Sequence, residues 1–188
     1  MTPRTTKLTT PLKESDLKTL HTGDMILLSG EVYTARDAGH ERMVRLIHEG
    51  RKPPFDPKGA VIYYVGPTPP MPGEVIGSAG PTTSSRMDAF TPQLLELGLK
   101  GTIGKGLRCP EVLESMQKNK AVYLAAVGGA AALIKKTITK AEVIAYEDLG
   151  PEAIRRLEVK DFPAIVVNDC KGGDLFKSGV EKYRKDVE

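Results

Sequence analysis

Apolar and polar positions along this chain change period repeatedly, and the changes divide it into short elements. "MILLSG" and "EVYTAR", on either side of Gly30, are β-prone and predict two strands joined as a hairpin. "DAGHERMVRLIHEG" switches to helical spacing, with Asp37 as its N-cap and Gly50 as its C-cap. "AVIYYVG" predicts a strand, "PTPPMPG" a surface loop and "EVIGSAG" a further strand. From Pro92 the alternation is cleaner. Helices over "PQLLELG", "PEVLESMQKNK", "GAAALIKK" and "PEAIRRLEV" are interleaved with strands over "KGTIGKG", "AVYLAAVG", "AEVIAYED" and "FPAIVVND". That order predicts an α/β fold with a largely parallel sheet, and the earlier hairpin adds a smaller antiparallel sheet. No repeat, low-complexity tract or long linker divides residues 1–188, so one domain is expected.

Composition narrows the function classes. The chain has 188 residues, 40% hydrophobic and 27% charged, which suits a soluble globular protein. Its 27 basic and 24 acidic residues are spread along the chain, and aromatics are 5%, so no basic, aromatic-laced footprint for nucleic acid is present. The most apolar run, Ala121–Ile134, is interrupted by a Gly pair and falls short of the roughly 20 residues that span a bilayer. The start, "MTPRTTKLTTPLKESDL", lacks a signal-type apolar stretch, so a cytoplasmic location is expected. Cys109 and Cys170 match no metal-ligand spacing and read as thiols in a reducing compartment.

Candidate chemistry collects where ligands gather in parallel sheets, beyond the C-terminal ends of strands. "TARDAGH" supplies Arg36, Asp37 and His40; "GPTTSSR" supplies Thr82, Thr83, Ser84, Ser85 and Arg86; "IGKG" supplies Lys105 between glycines. Two arginines and a lysine converging there would select an anion, a small dicarboxylate or a phosphate. Helix termini rich in hydroxyls would add donors. Ser85 with Asp88 three residues on also fits a helix cap, which is the plainer reading of that stretch. A nucleotide P-loop is excluded, because Leu99 stands where its first glycine belongs and Gly106 follows Lys105. His21 and His48 sit in ordinary polar surroundings. A helix starting at Asp37 is expected to turn His40 toward the same mouth as Arg36.

Several long motifs occur together and in order: "GEVYTARDAGH", "VIYYVGPTP", "GEVIGSAGPTTSSRMD", "LGLKGTIGKG", "AVYLAAVGGAAALI" and "AEVIAYEDLGPEAIRRLEVKDFPAIV". From about Leu8 to Leu175 the chain resembles the β subunit, or C-terminal domain, of class I, iron–sulfur-dependent fumarate hydratase. The β subunit of L(+)-tartrate dehydratase is a relative of that family. The last dozen residues match nothing in it. The resemblance implies a three-layer swivelling β/β/α domain with a parallel central sheet, and reversible hydration of fumarate to (S)-malate. It also implies a 4Fe-4S cluster held by cysteines of a partner α subunit rather than by this chain. Residue by residue, Arg36, Arg86 and Lys105 match the substrate-gripping cations and Thr82 matches the proton acceptor. Thr83, Ser84 and Ser85 belong to the same substrate loop, with Ser85 where many members have glycine. His40 matches a candidate catalytic histidine. The motifs flanking Tyr63 and Gly77 look more like the fumarase branch than the tartrate branch. A non-catalytic anion-binding module is the remaining alternative.

Overall fold

The computed structural model describes residues 4–184. Among the described residues there are seven strands: β1 (Thr5–Thr9), β2 (Met25–Thr34), β3 (Val61–Tyr63), β4 (Gly101–Gly104), β5 (Val122–Ala125), β6 (Ile138–Ala145) and β7 (Ile154–Asn168). They lie in one sheet in the order β1-β2-β3-β4-β5-β7-β6. Neighbours from β1 to β5 are parallel, while β7 runs antiparallel to β5 and β6. Because β7 also pairs with β2, the sheet closes on itself and β2, β3, β4, β5 and β7 make a partly closed barrel.

Among the described residues six α-helices accompany the sheet: α1 (Glu14–Leu17), α2 (Asp37–His48), α3 (Thr91–Glu96), α4 (Pro110–Asn119), α5 (Ala131–Lys135) and α6 (Leu175–Tyr183). Two apolar cores follow from the two faces of the strands. Val61 and Tyr63 of β3 join Leu28, Val32, Ile103, Leu124, Leu157 and Phe162 in the first core. Ile62 and Tyr64 turn to the second, with Met43 of α2, Leu94 and Leu95 of α3 and Val112 and Met116 of α4. Burial on both faces explains why "AVIYY" is continuously apolar rather than alternating. The helices α2, α3 and α4 thus share one layer, and the loops that join them to the strand ends meet on one edge.

The mixed α/β class and most of the alternation stand, with several corrections. No hairpin forms at Gly30; β2 runs straight through, and a bulge sets Ser29 against Lys160 and Asp161 of β7. The antiparallel strands do not form a separate sheet but continue the parallel one. "EVIGSAG" is irregular, because Ser78 bonds back to Thr68 by both its N–H and its C=O and so closes the proline loop. "PEAIRRLEV" is not a helix: its first residues belong to a 3-10 segment, Glu147–Glu152, broken by the non-helical Gly150, and β7 begins at Ile154. Ile154 and Leu157 are three apart, a helical spacing, yet they enter opposite cores on opposite faces of a strand. The elements β1, α1 and α6 lie outside the segments assigned from the sequence. Among the described residues no helix is long and apolar enough to cross a membrane.

Candidate functional site

The hydroxyl loop is stitched to the ends of β3 and β4 by its backbone. Thr82 N–H donates to Tyr64 C=O at 2.7 Å, Lys105 N–H to Thr82 C=O at 3.2 Å, and Ser84 N–H to Lys105 C=O at 2.8 Å. The loop therefore acts as a short strand-like extension beside Lys105, and Thr83 bridges Lys105 in parallel register. Thr83, Ser85, Arg86 and Lys105 are exposed and Thr82 is half-buried. Ser84 is fully buried, and its hydroxyl donates to Tyr123 Oη at 2.9 Å. Tyr123 in turn donates to Gly106 C=O at 2.9 Å, tying the hydroxyl loop to the lysine turn. Burial pushes the Tyr123 phenol up to about 12, so it remains a donor at neutral pH. Gly104 is required here: a Cβ would lie 2.0 Å from Ser84 Oγ and 2.9 Å from Tyr64 Cδ2.

Arg36 leaves the end of β2 in extended conformation, and α2 starts at the next residue. Asp37 was expected to cap α2 with its side chain, but that carboxylate is committed elsewhere. Its Oδ1 accepts from Arg86 Nε at 2.8 Å, and its Oδ2 lies 3.8 Å from Arg36 Nε. The first and second loops are thus brought together across one carboxylate. Glu152 takes the capping role from a distance, accepting Ala38 N–H at 2.9 Å through Oε2. Its Oε1 lies 3.3 Å from Arg36 Nη2. The α2 N-terminus is therefore already occupied by a carboxylate. Gly66 gives the guanidinium room, since a Cβ there would stand 2.9 Å from Arg36 Nη1.

His40 does not reach the mouth. Its side chain is 0% exposed, edge-on to Tyr64 and stacked near Phe90. Nδ1 contacts Arg36 C=O at 2.9 Å, and a carbonyl only accepts, so the proton is on Nδ1. Nε2 is buried without a hydrogen-bond partner. Burial pulls the ring from 6.5 down to about 4, so it is neutral at physiological pH. Its position is beneath Arg36, where it fixes the backbone that carries that arginine.

A buried arginine escaped the sequence reading. The Arg108 side chain is 0% exposed; Nε donates to Asp88 Oδ1 at 2.7 Å, and its terminal nitrogens reach Tyr64 Oη, Thr102 Oγ1 and Thr91 Oγ1. It also stacks over Tyr64 and Tyr123. Asp88 Oδ2 accepts Cys109 N–H at 2.7 Å. Asp88 is thus spent on joining the two loops, and neither Thr83 nor Cys109, the residues that cap the adjoining turn and helix, uses a side-chain cap bond. Asp88 lies two residues past Arg86, and Arg108 three past Lys105. Nothing in their local spacing announces the pair.

Among the described residues no group of three or more His, Cys, Asp or Glu side chains converges. Cys170 is buried against Leu17 C=O and Cys109 starts α4. The residues present do not suit an iron–sulfur cluster.

Comparison with known proteins bears on this arrangement. A family model described as Fumarase C-terminus matches residues 2–179. A Methanocaldococcus jannaschii protein, provisionally named L(+)-tartrate dehydratase subunit beta, is 36% identical over 93% of each chain. Fumarate hydratase class I, anaerobic, of Escherichia coli is 37% identical over 93% of this chain but only 33% of its own length. L(+)-tartrate dehydratase subunit beta of Escherichia coli is 37% identical over 89% of this chain and 85% of its own. The chain therefore spans nearly all of the tartrate dehydratase β subunits and about a third of the fumarate hydratase. With matches of that length, and with the loops meeting at one edge of the sheet, the chain belongs to the fumarase C-terminal family, which includes the β subunits and C-terminal domains of class I fumarate hydratase and L(+)-tartrate dehydratase.

Proposed function

We propose that this chain supplies the cationic half of a hydro-lyase active site that interconverts fumarate and (S)-malate. The carrying observation is the meeting of the Arg36, Thr82–Arg86 and Lys105 loops at one edge of the sheet, through Asp37 and the loop backbone. The partner in this reading is an α subunit bearing the 4Fe-4S cluster, in keeping with the subunit names of two relatives and the greater length of the third. The three-layer swivelling arrangement belongs to the same reading, supported by the barrel and the helical layer on its outer face.

Dehydration of malate removes a weakly acidic proton next to one carboxylate and expels hydroxide from the neighbouring carbon. The α subunit's cluster would supply the Lewis-acid chemistry for the leaving hydroxyl, while charge spreads into the carboxylate as the proton leaves. Arg36, Arg86 and Lys105 are placed to stabilise that growing charge, and each such donor is worth about 3–4 kcal/mol. Thr82 is the proton acceptor in this scheme. Both of its peptide groups are fixed by hydrogen bonds, which holds its half-buried side chain at the mouth. A free hydroxyl is a poor base, so its activation is assigned to a carboxylate of the α subunit. Thr83 and Ser85 offer exposed hydroxyls to the substrate carboxylates. Buried Ser84 and His40 serve as supports for the loops that carry Lys105 and Arg36.

Tartrate is the second reading. It is favoured by the near-complete overlap with tartrate dehydratase β subunits at an identity equal to that with fumarate hydratase. Tartrate carries one more hydroxyl, which the site must pair or reject. Anaerobic reconstitution with the α partner, assayed on malate and tartrate side by side, separates the two. It also separates both from a non-catalytic anion-binding module, which turns over neither. The chain alone is expected to be inactive. Arg86→Ala and Lys105→Ala are each expected to lower turnover by about 100-fold or more. Near-normal rates from either variant refute the assignment of these cations.

A further inference from the structure

We propose that Asp37 is a positioning residue, a single carboxylate that sets the orientation of the arginines of the first two loops. Its consequences for turnover rest on the hydro-lyase reading; the geometry does not. Asp37 Oδ1 holds Arg86 by Nε alone, at 2.8 Å. Among the described residues the terminal nitrogens of Arg86 take no hydrogen bond, and the side chain is 49% exposed. A guanidinium gripped at Nε keeps its end-on pair of N–H groups free, the fork that receives a carboxylate bidentately. On the other side, Asp37 Oδ2 and Arg36 Nε face each other at 3.8 Å. Both atoms are buried and neither has a hydrogen-bond partner. Glu152 holds Arg36 from its other end, at Nη2. The four side chains form an alternating row, Glu152–Arg36–Asp37–Arg86, with Asp37 the only member that touches both cations.

A carboxylate inside an anion site invites a simpler explanation, in which Asp37 merely offsets the charge of two neighbouring guanidiniums. The two roles predict opposite results. If charge alone mattered, removing it would leave a more positive pocket that binds anions more tightly. If orientation matters, removal frees Arg86 to rotate, and the transition state loses a donor that the ground state scarcely used. The asparagine variant separates them, since its amide oxygen still accepts from Arg86 Nε while its charge is gone.

The test uses the full chain with Asp37→Ala and Asp37→Asn. Two readouts are taken: kcat and KM after reconstitution with the α partner, and the Arg86 Nε–H resonance of the 15N-labelled chain by itself. Asp37→Ala is expected to lose the protected Nε–H signal and to lower kcat about tenfold or more with a smaller change in KM. Asp37→Asn is expected to restore the signal and most of kcat. Tighter substrate binding or an undiminished kcat in Asp37→Ala overturns the proposal. So does an Asp37→Asn variant as impaired as Asp37→Ala, or an Nε–H signal indifferent to either change. If Asp37→Ala fails to fold, Asp37→Glu shifts the carboxylate by one methylene while keeping its charge. Lowered kcat and an altered signal then support the proposal, and unaltered values overturn it. A wild-type complex inactive on both substrates, with the signal pattern as expected, removes the hydro-lyase reading and leaves the positioning role standing.

Discussion

Replacing Arg108 with alanine tests the buried pair beneath the two functional loops. The side chains of Arg108 and Asp88 are 0% and 10% exposed, so solvent does little to screen their 2.7 Å contact. Removing the guanidinium strands the Asp88 carboxylate with one remaining donor, Cys109 N–H. It also withdraws a donor from Tyr64, Thr91 and Thr102 and empties the space between Tyr64 and Tyr123. Breaking a buried ion pair from one side costs about 3–5 kcal/mol. For a chain of this length each kcal/mol moves the melting midpoint by about 2–4 °C, so the expected fall is roughly 6–20 °C. Urea titration followed by far-UV circular dichroism gives the free energy directly. Arg108→Met keeps much of the volume and shows how much of the loss is electrostatic. Combined with Asp88→Asn it should cost less than the sum of the single changes, because the two residues act as a unit. A loss below about 1 kcal/mol for Arg108→Ala refutes the view that this pair locks the loops together.

Three further outcomes follow from the same geometry. His40 is pulled down to about 4 in the folded chain, whereas its unfolded value is 6.5, so the unfolded state binds the proton more readily between these values. Its contribution is whole above pH 6.5 and is lost as pH falls toward 4, by about 3 kcal/mol at 1.36 kcal/mol per unit. Urea midpoints across that window should therefore slope less in His40→Phe than in wild type, and parallel curves would refute it. Gly104→Ala should destabilise by about 1–3 kcal/mol, because its methyl meets Ser84 Oγ and Tyr64 in a packed interior. An unchanged melting midpoint counts against the close packing of β4 on the hydroxyl loop. For Thr82→Ala the proton-acceptor role predicts a fall in kcat, whereas a change confined to KM makes Thr82 a binding residue only.

The sequence determined the parts that depend on near neighbours in the chain. Period and turn residues place α2, α3, α4, β4 and β5 closely, and Arg36 and Lys105 follow the ends of β2 and β4 as read. Thr82 and Arg86 follow an irregular segment rather than the strand expected there. Local pattern failed where burial is decided by distant strands. Ile154 and Leu157 look helical only because each face of β7 is covered by a different core. Gly30 looks like a turn only because the bulge opposite it lies some 130 residues away in the chain, at Lys160 and Asp161. The same holds for charge. That Asp37 serves Arg86 rather than its own helix, that Glu152 closes the α2 N-terminus, and that Arg108 is buried on Asp88 are long-range choices. A carboxylate or guanidinium takes whichever partner the closed barrel brings within hydrogen-bond reach. Side-chain identity names the available charges, and only the tertiary structure decides which of them meet.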